Sequence, residues 1–479
     1  MTDRPSDPSA PFHFVSLSLG LVSHLNRGFA IARSARARGH QFTFVTDHEP
    51  AAALIDEHGF DVAMLDAQRA AWDDTRPNPY WPKAHRVLGK LPGVGTGPRG
   101  LAKPWAARRR QVMLDGTELL DTMERIGPDL IVTEFEMHRD IRLLLGDGWP
   151  VATIDGLYGT LPGVDAPHAG SAYIPNGTAW SRLRSRLTWE QLHANARLRR
   201  RAERWWLAGN DEHSVLDEIA TRAGIDPARI SRESYMYYHY LDCARIRPVI
   251  EELLYPGDER GGIITGPVID LERGSAGADA TFGDRWRELQ AGRAANGRSI
   301  VFLALGSILE NQTRLIEQVI DAFASRGDLD LVISVGRDFD RWASREVPAN
   351  VHLFSWVPQL EVLAGVDAMV SPGGSASVHE AIWFGVPQVF ISGGGIGQDG
   401  LIGRMVAAGY GLRIAPRRVT SERIAAAVQQ LLDDERFATR LAQLSSSLHR
   451  RDGISRTVDA MESIAANSNH PEGLDSTGS

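Results

Sequence analysis

The sequence FHFVSLSLGLVSHLNRGFAIARSARARGHQFTFVT at residues 12–46 indicates the architecture of the N-terminal half. The apolar run at residues 12–19 predicts a strand, and residues 25–38 predict a helix that Gly39 ends. A second strand follows at residues 40–46. Strand, helix and strand in this order form a βαβ unit, which implies a parallel sheet covered by helices.

The pattern V-x-L-x-L-G occurs twice, at residues 15–20 and again at residues 301–306. Each copy ends a predicted strand at a glycine turn. The 479 residues exceed what one hydrophobic core usually supports, so two α/β domains are expected. The predicted division is a loose tail at 1–11, an N-terminal Rossmann-like domain at 12–250, a Pro/Gly-rich linker at 251–275, a C-terminal Rossmann-like domain at 276–440, C-terminal helices at 441–466 and a second tail at 467–479.

Composition narrows the class of protein. The net charge is −8, which argues against a nucleic-acid partner. The single cysteine, Cys243, excludes an internal disulfide and a cysteine-based zinc site, and it fits a reducing cytoplasm. No signal peptide and no membrane span is predicted. We therefore expect a cytoplasmic protein, either a monomer or a homodimer.

The middle of the chain is rich in tryptophan and arginine. Two interpretations are open: an acceptor site with aromatic walls, or amphipathic helices with core tryptophans and solvated arginines, which we favour. The tryptophans concerned are Trp81, Trp105, Trp180, Trp189, Trp205 and Trp206.

Residues 351–411 contain the most informative pattern. Strands are predicted at 351–354, 366–370 and 388–391, and the sequence SPGGSASVHE at 371–380 joins the second strand to a helix. Free backbone N–H groups and the helix dipole at such a junction favour an anion such as a diphosphate. Ser377 and Glu380 also have the spacing of a capping box, so a purely structural role of Glu380 stays open.

The order W-x-P-Q, strand, G-G-x-x-S-x-x-E and G-V-P resembles the donor half of the UDP-glycosyltransferase family, whose GT-B members include antibiotic glycosyltransferases. The resemblance implies an α/β GT-B fold, in which two Rossmann-like domains with parallel sheets face each other across a cleft. It also implies Trp356 stacked on the nucleobase beside Gln359, and Glu380 bound to the ribose hydroxyls. The implied phosphate contacts are Ser307, Gly373, Gly374, Ser375 and Ser377.

Two positions depart from the family pattern. Pro372 stands where the family has a histidine that donates to the diphosphate, so one charge-assisted contact worth about 1.5–3 kcal/mol is lost. Gln398-Asp399 stands where the family has an acidic residue followed by glutamine, which hold the sugar hydroxyls. Both residues are predicted sugar ligands in an altered order.

The resemblance implies a general base at His24, whose distance from the Arg38-Gly39-His40 segment matches the family. A histidine at the carboxyl end of the first strand lies where α/β sheets bind ligands. Glu134, at the end of a predicted strand, stands where the family has the aspartate that pairs with this base. The structural alternatives are a helix-capping or surface histidine and a surface carboxylate, and Glu136 and Asp140 are nearby competitors of Glu134.

The predicted function is an inverting, metal-independent glycosyltransferase that moves a sugar from a UDP- or dTDP-sugar to a small natural-product acceptor, with no other cofactor. Asp338 and Asp340 form a D-x-D pair that we interpret as a solvated turn and not as a metal site. Two alternatives are a non-catalytic accessory homologue with a donor site altered by Pro372, and a sugar-nucleotide epimerase.

Overall fold

The computed structural model describes residues 10–65, 99–235, 238–258, 260–274, 278–305, 313–336 and 339–468, with side chains from residue 106 onward in the second range. Two parallel sheets, each covered by helices, account for most of these residues. Within the described part of the chain, no helix is long and apolar enough to cross a membrane.

The N-terminal sheet has seven strands in the order β3-β2-β1-β4-β5-β8-β9, and all of its pairings are parallel. A short antiparallel pair, β6 and β7, lies apart from it. The strands are β1 His13–Leu17, β2 Gln41–Thr46, β3 Asp61–Met64, β4 Leu130–Glu134, β5 Val151–Ile154, β6 Ile230–Ser231, β7 His239–Tyr240, β8 Ala244–Arg247 and β9 Ile263–Ile264. Its helices are α1 Val22–Ala37, α2 Glu49–Glu57, α3 Arg99–Leu114, α4 Thr117–Ile126, α5 His138–Gly146, α6 Ala179–Trp206 and α7 Glu212–Arg222.

The C-terminal sheet has six parallel strands in the order β12-β11-β10-β13-β14-β15. Its strands are β10 Ser299–Ala304, β11 Leu329–Ser334, β12 Val351–Phe354, β13 Ala368–Ser371, β14 Gln388–Phe390 and β15 Gly411–Arg413. The remaining helices are α8 Phe282–Asn296, α9 Thr313–Phe323, α10 Phe339–Ala343, α11 Gln359–Leu363, α12 Ser375–Trp383, α13 Gln398–Ala408, α14 Ser421–Asp433, α15 Glu435–His449 and α16 Gly453–Ser468.

The two copies of V-x-L-x-L-G occupy equivalent places. Strands β1 and β10, which carry them, are each third in their sheet, and each lies between strands that lead in opposite directions along the sheet order. Doubly wound sheets bind ligands at this reversal, beyond the carboxyl ends of the strands. The predicted α/β architecture of two facing parallel-sheet domains is confirmed.

The domain limits predicted from the sequence stay a prediction. Strand β9 falls inside the stretch assigned to the linker, and it pairs with β8 at the edge of the N-terminal sheet. Helix α16 returns to the N-terminal domain, where Val458 and Met461 are fully buried against its core. Arg38 and His40 bind the same helix, since His40 Nε2 lies 2.8 Å from Glu462 Oε1. The segment Arg38-Gly39-His40, which follows α1, thus binds α16 to the N-terminal domain.

A shared interface holds the two domains together. Tyr158, Ile250, Ile402 and Leu444 belong to one buried apolar cluster that draws on both halves of the chain. A fully buried ion pair between Arg404 and Asp258 lies beside it. Because burying a charge without its partner is costly, this pair favours one arrangement of the domains.

Candidate active site in the interdomain cleft

A cleft of about 740 Å³ lies between the carboxyl ends of the two sheets. Its size is in the range of small-molecule sites, about 300–1,000 Å³. Side chains that follow β1 and β4 form one wall, and the segment that follows β13 forms the other. Of the residues predicted as site residues, those that line the cleft are His24, Gly374, Ser375, Ser377, Glu380 and Gln398.

His24 and Glu134 come together on the N-terminal wall. His24 lies in the first turn of α1, not before the helix as the sequence suggested, because Leu21 is extended and the helix begins at Val22. Its Nδ1 atom is 3.1 Å from Glu134 Oε1, although the ring is not aligned for a well-formed hydrogen bond. The two side chains are therefore in contact, and their roles as base and partner stay a prediction.

Arg27, one helical turn after His24, was missed by the sequence analysis. Its Nη2 donates to both carboxylate oxygens of Glu134, at 2.9 and 2.7 Å. Burial alone would raise the pKa of Glu134, but the charges of Arg27 and His24 lower it to about 2. Glu134 is thus a buried, permanently charged group that can orient His24 and stabilise it when it is protonated.

Glu136 is a second carboxyl of this wall, and its pKa is shifted in the direction opposite to that of Glu134. Burial, and then the nearby charge of Glu134, raises the pKa of Glu136 to about 8. Its Oε2 atom is buried and has no hydrogen-bond partner in the described structure, and the residue lines the cleft. A neutral carboxyl in a ligand site can donate a hydrogen bond. Only its position two residues after Glu134 signalled it in the sequence.

The loop after β13 forms the opposite wall. Gly373 has φ +84°, and a Cβ there would lie 2.7 Å from Ile402 Cγ1, so only glycine fits. A Cβ on Gly374 would meet nothing within 4 Å, because this residue faces open space. Gly374 precedes the first residue of α12 and offers no side-chain cap. The helix therefore presents its free N–H groups to the cleft.

Glu380 does not cap this helix. The helix begins at Ser375, so Glu380 lies inside it, and its carboxylate is 6% exposed. Arg273 grips both oxygens, with Nη1 donating to Oε1 at 2.6 Å and Nη2 to Oε2 at 3.0 Å. Gln359 also donates to Glu380, and to Ser377 Oγ at 3.2 Å. The capping interpretation is thus wrong, and Arg273 is a neighbour that the sequence analysis missed.

Trp356 is 40% exposed and is not a core residue. It lies just before Gln359, on the segment that joins β12 to α11. An exposed indole three residues before Gln359, which donates to Glu380, is a surface on which a base can stack. Ser307, the other residue expected at the phosphates, lies outside the described residues.

The side chains of Gln398 and Asp399 have different surroundings in the structure. Gln398 lines the cleft, and its Oε1 accepts from the N–H groups of Gly393 and Gly395, both at 3.0 Å. These two bonds hold the glycine-rich loop against the start of α13. Asp399 instead pairs with Arg413 at 3.1 Å. Their roles as sugar ligands stay a prediction, and the position supports Gln398 better than Asp399.

Pro372 lines the cleft, so the loss of the family histidine affects the site itself. His379, on α12, does not replace it. Tyr158 Oη accepts from Ile250 N and forms a hydrogen bond of 2.7 Å with His379 Nε2. Burial and then the charge of Arg27 lower the pKa of His379 to about 3, so the ring is neutral.

The tryptophans of the middle region divide between core and surface. Trp189 is buried, whereas Trp180 and Trp205 are exposed by 73% and 64% and do not line the cleft. Neither interpretation made from the sequence fits these two. Trp81 and the side chain of Trp105 lie outside the described residues.

Asp340 lies exposed in α10, and Asp338 is outside the described residues. Elsewhere in the described ranges, no group of three or more His, Cys, Asp or Glu side chains is placed to hold a metal ion.

Several known proteins are similar to this chain in sequence or in fold. Residues 317–452 match the model of a domain family described as "Erythromycin biosynthesis protein CIII-like, C-terminal domain". The oleandomycin glycosyltransferase of Streptomyces antibioticus is 22% identical over 463 residues, which cover 95% of this chain and 91% of the relative. The glycotransferase of kitacinnamycin shares the fold with a TM-score of 0.65 at 24% identity, over 95% of this chain and 99% of that one. The glycosyltransferase VinC in complex with dTDP has a TM-score of 0.58 at 16% identity, over 95% and 100%. The chain therefore has the GT-B fold and is similar to antibiotic and natural-product glycosyltransferases, as its sequence motifs predicted.

Proposed function

We propose that this protein transfers a sugar from a nucleotide diphosphate sugar to a hydroxyl or other heteroatom of a natural product, with inversion at the anomeric carbon. The observation that carries the proposal is the His24–Glu134 contact of 3.1 Å across the cleft from the N-terminus of α12. A base on one wall and an anion site on the other are what a single displacement needs.

The acceptor side of the reaction belongs to the N-terminal wall. His24 removes the proton of the acceptor as its heteroatom forms the new bond to the anomeric carbon. Glu134 is ionised and buried, so it stabilises the imidazolium that forms, and Arg27 holds its carboxylate in place. The proton thus rests on His24 after transfer.

The donor side belongs to the C-terminal wall. The bond from the anomeric carbon to the diphosphate oxygen breaks, and the leaving electron pair is stabilised by the N–H groups at the start of α12. Trp356 stacks on the base, and Glu380 accepts from the ribose hydroxyls. Gln398 contacts the sugar. We propose that this arrangement works without a metal ion, so chelation should leave turnover unchanged.

The nucleotide is proposed to be dTDP or UDP. VinC, a protein of the same fold, is described with dTDP bound, which supports the first. The oleandomycin glycosyltransferase is named for a natural-product acceptor, which supports an acceptor of that class.

The first test is thermal unfolding of the purified chain with dTDP, UDP and GDP. A ligand at a hundredfold excess over its Kd stabilises the native state by about 2.7 kcal/mol. The second test is His24→Ala, which should abolish turnover and leave nucleotide affinity intact. A stabilising nucleotide together with undiminished turnover of His24→Ala would show that the base is misassigned. Absence of any nucleotide effect would contradict the donor site.

A further inference from the structure

Helix α6 is a long surface helix that sugar transfer does not explain. Only four of its 28 residues are buried: Ser181, Ser185, Trp189 and Ala196. At about 100° per residue these four lie within about 80° of one another around the helix axis. Trp189 anchors this face, because its Nε1 donates to the carbonyl of Ala166 at 2.8 Å. The opposite face of the helix is turned to solvent.

Large apolar side chains cover that opposite face. By the same geometry they fall within about 60° of one another and extend for about 38 Å along the axis. We call these residues the apolar stripe: Trp180, Leu183, Leu187, Leu198 and Trp205. An amphipathic helix of a globular protein normally turns its apolar stripe to the core. A stripe turned to solvent marks an interaction surface.

Arginines border the apolar stripe. The helix has eight arginines and two glutamates, a formal charge of +6 in a chain whose net charge is −8. In helical projection Arg186, Arg197 and Arg204 lie along one side of the stripe and Arg184 along the other, while Arg201 projects at the angle of Leu183, at the edge of the stripe. The partner must therefore accept an apolar edge and offer negative charge on both sides of it.

We propose that α6 docks this protein on an anionic lipid surface. A straight apolar stripe with tryptophans and flanking arginines has the composition of helices that lie in the membrane interface. Leucines enter the acyl boundary, indoles lie at the headgroup level, and guanidinium groups meet lipid phosphates.

Two other partners fit less well. A second copy of the helix would bring a charge of +6 against +6. A nucleic acid would set its phosphates against the apolar stripe, and Trp180 and Trp205 are too far apart to form one stacking platform.

The test is co-sedimentation of the full chain with vesicles of phosphatidylcholine alone, and of phosphatidylcholine with one-third phosphatidylglycerol. We expect binding to the anionic vesicles only, weakened by high salt because the attraction is screened. The variant Trp180→Ser with Leu187→Ser should reduce the partition coefficient at least about tenfold. Arg186→Gln with Arg197→Gln should reduce it about tenfold as well.

Matched control variants distinguish binding through the apolar stripe from non-specific binding to vesicles. Leu241→Ser removes a leucine that is 55% exposed, against 54% for Leu187, and it should bind as the unaltered protein does. Arg417→Gln with Arg418→Gln makes the same charge change at exposed positions away from α6. Thermal unfolding of each variant shows that it is folded.

The proposal is overturned if the unaltered protein does not bind anionic vesicles at low salt, or if Trp180→Ser with Leu187→Ser binds them as well as Leu241→Ser does. A dimer in solution that Leu187→Ser dissociates would also overturn it, since the stripe would then be an interface between copies.

Discussion

Replacement of Glu134 by glutamine removes the charge of this carboxylate and keeps its shape. Glu134 is 8% exposed, accepts two bonds from Arg27 and lies 3.1 Å from His24. Glutamine can still accept from Arg27, but it leaves that guanidinium buried without a counter-charge. It also offers His24 no negative partner when the ring takes a proton.

The lowered pKa of Glu134 measures how strongly the folded protein favours the charged form of this carboxyl. A fall from 4.5 to about 2 means that the folded protein favours the charged carboxyl by roughly 3 kcal/mol. A single charge-assisted bond to the imidazolium is worth about 1.5–3 kcal/mol, so kcat should fall about tenfold to a hundredfold. The KM for the nucleotide sugar should stay unchanged, because Glu134 lies on the wall away from α12.

Asp330 provides a matched control. This carboxylate is 6% exposed and also meets one arginine and one histidine, at 3.0 Å from Arg298 Nη2 and 3.0 Å from His352 Nε2, but it lies in β11 away from the cleft. Glu134→Gln and Asp330→Asn should both lower the midpoint of thermal unfolding, and only the first should lower kcat. Steady-state kinetics and calorimetry measure the two effects. Equal kcat values for Glu134→Gln and the unaltered protein would refute the role assigned to this carboxylate.

Three further changes test the rest of the cleft. Arg273→Ala should weaken nucleotide binding about tenfold by calorimetry, because it releases the Glu380 carboxylate that Arg273 orients; tighter binding would instead mean that Arg273 competes with the ribose. Pro372→His should tighten dTDP or UDP binding at least about tenfold by restoring a donor to the diphosphate, and an unchanged Kd would show that another group already fills this role. Glu136→Gln should be more stable than the unaltered protein by an amount that grows from pH 5 to pH 8, to about 3–5 kcal/mol, because the raised pKa of Glu136 means that its ionisation is opposed in the folded state. Denaturant unfolding across this range measures the difference, and a constant difference would contradict the assigned protonation state.

The residues that sequence motifs could identify are those whose positions the backbone alone determines. Glu134 ends β4, and His24 follows the adjacent strand β1 in the first turn of α1, so parallel pairing of β1 and β4 brings the two to one edge of the sheet. The loop at Gly373 and Gly374 follows from the same rule in the second sheet. These features depend on strand order, which alternating βα patterns encode locally.

The residues that the sequence did not identify depend on side-chain contacts between distant segments. Arg273 meets Glu380 across 107 positions of chain, and Arg27 meets Glu134 across the same separation. No local pattern reports which arginine among many reaches a given carboxylate. The exposure of Trp180 was also not predicted, because helical spacing shows which residues share a face of the helix but not which face packs against the core.

The two carboxyls at the end of β4 show why their roles differ although their residue type does not. Glu134 has a guanidinium against it, and the lowered pKa of Glu134 keeps it charged at every working pH. That charge, together with burial, holds the pKa of Glu136 near 8 and keeps this carboxyl neutral at pH 7. At this strand end, the charged Glu134 can stabilise an imidazolium, and the neutral Glu136 can donate a hydrogen bond to an oxygen of the molecule that receives the sugar. Arg27 maintains the difference, because without it the two carboxyls would compete for a single negative charge. The chemistry that we propose for this wall therefore depends on Arg27 as much as on His24.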